Sequence, residues 1–195
     1  MRKLLLSALV LIFLQGAHAQ DQGGAKERVF KPFKVNLSLG FAMPSGSGTK
    51  GGALFALEPK YAVMDQLALG LRLEAAVMAR GVVGSGGQEF SGSASANLSY
   101  VATGDYYFSN KGFRPFLGAG AGIFTLANVE IDSNNPNAPD NIPSESKFGF
   151  MTRGGFEAGH FRLGVEYNII PQSAGGVKNN YLGIKIGVNI GGGRK

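Results

Sequence analysis

The sequence predicts an all-β chain: an eight-stranded antiparallel up-and-down barrel that spans a membrane, preceded by a cleavable signal peptide. Three observations carry this. Apolar and polar residues alternate with a period of two in eight stretches, which is the spacing of strands and not of helices. The connections between those stretches alternate strictly between short and long. The polar face of the stretches also combines glycine with charges of both signs, which suits a narrow interior better than a wet exterior.

The chain has 195 residues, enough for one domain. Arg2 and Lys3 form a positive start, Leu4 to Leu14 an apolar run, and Ala17-His18-Ala19 a small-x-small cleavage site. This reads as a secretory signal peptide over 1–19; its apolar run is short for a membrane-spanning helix. A flexible N-terminal leader is expected over 20–30 and the barrel domain over 31–195. Cysteine is absent, so there is no disulfide framework, thiolate metal site or lipidated cysteine at the cleavage point.

The first strand sets Phe33, Val35, Leu37, Leu39 and Phe41 against Lys34, Asn36, Ser38, Gly40 and Ala42. The second sets Phe55, Leu57 and Tyr61 against Glu58 and Lys60, and the third Leu67, Leu69, Leu71, Leu73, Ala75 and Val77 against Gly70, Arg72 and Glu74. In the fourth, Leu98, Tyr100, Ala102, Tyr106 and Phe108 oppose Ser99, Thr103 and Asp105, with Val101 and Tyr107 on the polar face. The fifth opposes Phe113, Leu117, Ala119, Ala121 and Ile123 to Arg114, Gly118, Gly120 and Gly122. The sixth opposes Phe148, Phe150 and Phe156 to Arg153, Gly155 and Glu157. The seventh opposes Phe161, Leu163, Val165, Tyr167 and Ile169 to Arg162, Gly164, Glu166 and Asn168. The eighth, Tyr181 to Ile190, alternates without a break and has about the ten residues that a tilted strand needs to cross a bilayer.

Tight turns are expected at 63–66, 109–112 and 158–160, and longer loops at 44–51, 81–92, 127–146 and 171–179. Short turns on one side and long loops on the other match an even-stranded outer-membrane barrel with both ends in the periplasm. Pro59 and Pro115 fall inside proposed strands, where each removes a ladder donor; bulges near the short-turn rim are the expected accommodation.

Alternation alone fits a soluble barrel with its faces exchanged. The glycine-rich, doubly charged face argues for the membrane form: Lys34, Lys60, Arg72, Arg114, Arg153, Arg162 and Lys185 face Glu58, Glu74, Asp105, Glu157 and Glu166 as one internal charge network. Phe33, Tyr61, Tyr106, Phe108, Phe113, Phe156 and Phe161 collect on the apolar face near the short turns, as an interfacial girdle does. The formal charge is +6, or +4 once Arg2 and Lys3 leave. No Lys/Arg-rich run or basic patch interleaved with aromatics suggests nucleic acid, so this excess is read as an affinity for anionic lipid headgroups.

The Phe113-Arg114-Pro115-Phe116-Leu117-Gly118-Ala119-Gly120 segment, Phe161-Arg162-Leu163-Gly164-Val165-Glu166-Tyr167 and the terminal strand resemble the small outer-membrane β-barrel family of OmpA/OmpX type. The resemblance covers essentially all of the mature chain and implies an integral outer-membrane location in a Gram-negative bacterium. The chain departs from OmpA in having no peptidoglycan-binding domain after the barrel. It also ends Gly191-Gly192-Gly193-Arg194-Lys195, where many such barrels end in Phe.

Catalytic, cofactor and metal residues are not expected. His160, the one histidine after the signal, lies in a short turn, whereas a Ser/His hydrolase acting on outer-leaflet lipid would need its base near the external rim; it reads as a solvated turn residue. The acidic stretch from Glu130 to Glu145 lacks EF-hand spacing, and Gly118 to Gly122 lacks the helix of a phosphate-binding turn. The expected role is structural or surface interaction through the loops, chiefly 127–146. The expected partners are outer-membrane lipid, the barrel assembly machinery through the last strand and a surface partner through that loop, with the chain a monomer. The alternatives are a small pore gated by the luminal ion pairs and a soluble, lipocalin-like lipid carrier of the periplasm.

Overall fold

In the computed structural model, which describes residues 28–45, 49–83, 90–131, 144–173 and 178–195, the alternating stretches become eight strands. They are β1 (Phe33–Pro44), β2 (Thr49–Met64), β3 (Leu67–Val83), β4 (Phe90–Tyr107), β5 (Phe113–Ile131), β6 (Ser144–Ala158), β7 (Phe161–Ile169) and β8 (Tyr181–Gly191). Each pairs antiparallel with its neighbours in sequence, and β1 pairs with β8 from Lys34↔Gly191 to Pro44↔Tyr181, closing the barrel. Closure removes both sheet edges, the condition for a sheet to stand in hydrocarbon.

The outer wall is apolar. Phe33, Leu39, Phe41, Leu71, Val77, Leu117, Phe150, Ile186 and Ile190 are among the large hydrophobic side chains that face outward, while the charged side chains of the same strands are buried inside. This distribution is the reverse of a soluble carrier, which keeps its apolar face inside, and it overturns that alternative. Phe33, Tyr61, Tyr106, Phe108, Phe113 and Phe161 are exposed at the short-turn end. Phe156, half-buried, packs between Phe113 and Phe161 at centroid distances of 5.0 and 6.2 Å. Phe41, Phe55, Tyr100, Phe148 and Phe150 form a second exposed level. The two levels stand six to eight residues apart on the strands that carry both, about 15–20 Å at ~3.3 Å per residue and ~40° of tilt. An apolar band between two aromatic belts is a bilayer-spanning surface.

The strands run past the expected loop boundaries at 49–51, 81–83, 90–92, 127–131 and 144–146. Hairpin pairing continues beyond the hydrocarbon, because the sheet ladder keeps satisfying the backbone there and only the side-chain pattern changes. The wall is therefore uneven: β3, β4 and β5 have 17, 18 and 19 residues, β7 and β8 only 9 and 11.

The prolines do not form the expected bulges. Pro59 pairs with Val35, and the β2–β3 register is the same on either side of it, from Leu57↔Leu73 to Lys60↔Gly70. Pro115 pairs with Phe156 in an unbroken β5–β6 register, and on its other side lies just past the last β4–β5 pair, where Phe108 N donates to its carbonyl at 2.9 Å. A single missing donor near a strand end costs one hydrogen bond and leaves the register intact. The irregularities of β2–β3 lie elsewhere, between Thr49 and Gly52 and between Ala62 and Met64.

The expected signal peptide 1–19 and the expected leader up to residue 27 lie outside the described residues, as do 46–48, 84–89, 132–143 and 174–177. Arg28, Val29 and Phe30, the end of the expected leader, are tied to the short-turn rim. The Asp65 carboxylate accepts the amides of Val29 and Phe30 at 3.1 and 3.2 Å, and the Arg28 guanidinium donates to the carbonyls of Ala62 and Val63.

Candidate functional site

Each strand contributes to the lumen by parity: a side chain two residues from an inward one also points inward. The structure brings eleven of the twelve charged candidates into ion pairs there, in two tiers. In the tier near the short turns, Lys34 reaches Glu157 at 2.6 Å, and Arg162 bridges Glu157 at 2.5 Å and Asp105 at 2.9 Å. Lys60 meets Asp105 at 2.5 Å and Glu58 at 3.2 Å, and Arg153 meets Glu58 at 2.6 Å and Asp105 at 2.7 Å. The Tyr107 hydroxyl donates to Glu157 and Thr103 donates to Glu58.

In the second tier, Lys185 bridges Glu74 at 2.8 Å and Glu166 at 2.7 Å. Arg72 of β3 contacts Glu166 of β7 and lies 3.6 Å from Glu74. Arg153 joins the tiers, with Glu166 at 3.8 Å. Six cations thus face five carboxylates, and each carboxylate has more than one cationic neighbour; Glu157 adds the Tyr107 hydroxyl to Lys34 and Arg162. Charges held this way are compensated in place of their lost hydration.

Arg114 stands apart from the acids. Its guanidinium lies between the rings of Phe30 and Tyr107, at 4.0 and 4.1 Å, and donates to the carbonyls of Asp65 and Ser109. With Ala68, Tyr107 and Phe116 packed inside the rim, this stack covers the short-turn mouth.

Parity did not announce the other end. Above the second tier, Leu54, Met78, Val101, Phe124, Leu126, Met151 and Ile170 turn inward and pack as a dry layer across the lumen. Phe124 is 0% exposed and its ring lies 5.9 Å from the Arg72 guanidinium, while Tyr181, also 0% exposed, marks the boundary by donating its hydroxyl to Glu74 at 2.6 Å. Ile170 lies past the end of β7 and Met78 late in β3, so only the inward parity of Val101 hinted at this layer.

Between these seals, a cavity of about 20 Å³ is lined by Asn36, Ser38, Glu58, Arg153, Arg162 and Lys185 among others, room for about one water molecule. The lumen is thus filled by paired charges, closed by aromatic stacking at one end and by apolar packing at the other. His160 is exposed at its turn, its Nδ1 2.7 Å from the Asn189 carbonyl oxygen. Among the described residues, no group of three or more histidine and acidic side chains is arranged to hold a metal ion.

No protein-family model and no curated protein sequence matches the chain. Solved structures do. Neisserial surface protein A aligns over 83% of this chain and 98% of its own at 18% identity, with a TM-score of 0.61. The outer membrane protein OprG of Pseudomonas aeruginosa aligns over 84% of this chain and 98% of its own at 15% identity, with a TM-score of 0.51. At these identities the likeness is one of fold. The chain has the fold of the small eight-stranded outer-membrane barrels, which is the fold implied by its resemblance to the OmpA/OmpX type.

Proposed function

We propose that the protein is exported through its signal peptide 1–19 and inserted in the outer membrane, where it acts as a non-conducting, non-catalytic scaffold. In this reading the extracellular extension of β2 to β6 presents loop 127–146 to a surface partner. The observation that carries it is the uneven wall: β5 has 19 residues where about ten suffice to cross, so the chain spends structure on a palisade beyond the membrane. The sealed lumen supports the absence of conduction. The likeness to a surface protein of Neisseria supports the placement of the work outside. The terminal strand β8 is the part offered to the assembly machinery, since it completes the closure with β1.

The test begins with fractionation and with gel mobility in SDS before and after boiling; an outer-membrane band that shifts on boiling is expected. Deleting 132–143, the tip between β5 and β6, then separates scaffold from function. The barrel still shifts on boiling, and surface binding and serum sensitivity change. Unchanged phenotypes in a properly inserted deletion would move the function away from this loop.

A further inference from the structure

The Gly191-Gly192-Gly193-Arg194-Lys195 run has a definite place in the structure. Gly191 and Gly192 take φ values of 82° and 66°, left-handed conformations that glycine adopts without strain, and turn the chain out of β8. The tail then pairs with the strap that enters β1. Lys31 N donates to Gly193 O and Lys195 N to Val29 O, both at 3.0 Å, and Phe30 bridges Arg194. The result is a two-stranded ribbon at the β1–β8 seam.

The ribbon residues 28–32 and 191–195 include four cations, Arg28, Lys31, Arg194 and Lys195, and no acid. Lys31, Arg194 and Lys195 are exposed, and Arg28 is half-buried with its guanidinium on the Ala62 and Val63 carbonyls. The neighbouring carboxylate, Asp65, has both oxygens engaged by the Val29 and Phe30 amides. Lys31 lies two residues beyond Phe33 of the aromatic girdle, about 6–7 Å along the strand, which is headgroup depth. Directly above, Phe33, Leu37, Val188 and Ile190 face outward on the paired strands β1 and β8.

We propose that this seam is a docking site for an anionic phospholipid of the periplasmic leaflet, its phosphate on the basic ribbon and its acyl chains along the β1–β8 face. Cations at headgroup level joined to an apolar track match the two ends of a lipid. A soluble polyanion would use the charges and leave the track idle. The inference goes beyond the proposed surface role and rests on the outer-membrane placement, which the gel shift tests separately.

The experiment is native mass spectrometry of the folded mature chain released from micelles containing equal phosphatidylglycerol and phosphatidylcholine. The wild type is expected to retain phosphatidylglycerol in preference. The R194Q/K195Q variant is expected to lose about fivefold of that preference per cation removed, from the ~1 kcal/mol that each Lys or Arg contributes near an anionic surface. A charge-matched K111Q/K178Q variant, altered at the β4–β5 turn and beside the β7–β8 loop, is expected to keep it. Absence of a preference in the wild type, or equal loss in both variants, would overturn the site. Retention of an added anionic muropeptide in place of the lipid, abolished by R194Q/K195Q, would overturn the lipid and assign the ribbon to the cell wall.

Discussion

Arg153 on β6 grips Glu58 on β2, the strand diametrically across the barrel, with two near-parallel bonds of 2.6 and 3.0 Å. The pair is a strut through the lumen, and its removal from one side leaves a buried charge. Arg153→Met or Glu58→Leu alone should cost about 3–5 kcal/mol. Because Arg153 also holds Asp105, the double variant should recover only part of this, being less harmful than the two singles added by at least ~1 kcal/mol. Urea titration of the folded, unshifted gel band in vesicles measures all three. Strict additivity would mean that the strut carries no coupling.

Conduction should depend on the dry layer rather than on the charges. In planar bilayers the wild type, Arg72→Ala and Arg153→Ala are expected to be electrically silent, because Leu54, Phe124 and Met151 still close the lumen above them. Combining Leu54→Ala, Phe124→Ala and Met151→Ala should open it. Steps of current from Arg72→Ala alone would restore the ion-pair gate.

Glycine has two different roles in the wall. A Cβ on Gly155 would sit 2.8 Å from the Gly164 Cα of the adjacent strand and closer still to the Leu163 carbonyl oxygen, whereas one on lipid-facing Gly104 meets only Leu69 at 3.7 Å. Gly155→Ala should therefore destabilise by about 1–3 kcal/mol. Gly104→Ala should be neutral, or stabilising by up to ~1 kcal/mol through the unfolded chain. The same urea titration distinguishes them.

The strap at the short-turn mouth depends on one carboxylate. Asp65→Ala removes the acceptor of the Val29 and Phe30 amides, so their hydrogen exchange should accelerate by about tenfold or more, given ~1.5–3 kcal/mol for a bond to a charged group. Exchange in the centre of β1, at Leu37 and Leu39, should not change. Equal acceleration at both places would mean that the substitution had loosened the whole barrel.

Parity made the barrel legible, because a period of two assigns a face to every residue of a strand. The same rule places Lys34 and Glu157 on one face but cannot pair them, since they lie 123 positions apart and meet only once the sheet curls shut. Strand ends were overrun for a related reason: past the hydrocarbon, the hairpins continue on backbone pairing without an apolar alternation to mark them. The dry layer is hidden in the sequence because luminal apolar residues such as Leu54 and Phe124 break the alternation of apolar and polar positions that marks a strand. The fate of the Gly-Gly-Gly-Arg-Lys tail was illegible for want of any local signal that its partner is the strap some 160 residues earlier.

The β1–β8 closure also fixes an order of events in assembly. Asn36 and Asn189, which hydrogen-bond across that seam, are 153 residues apart. The first strand must therefore wait, with an unpaired edge, until nearly all of the chain has been delivered to the membrane. Contacts of such long range make folding slow and leave intermediates open to edge-to-edge aggregation. A strand-by-strand nascent barrel thus has a long vulnerable lifetime, and the last step, not the first, is the one that a folding catalyst would most profitably accelerate.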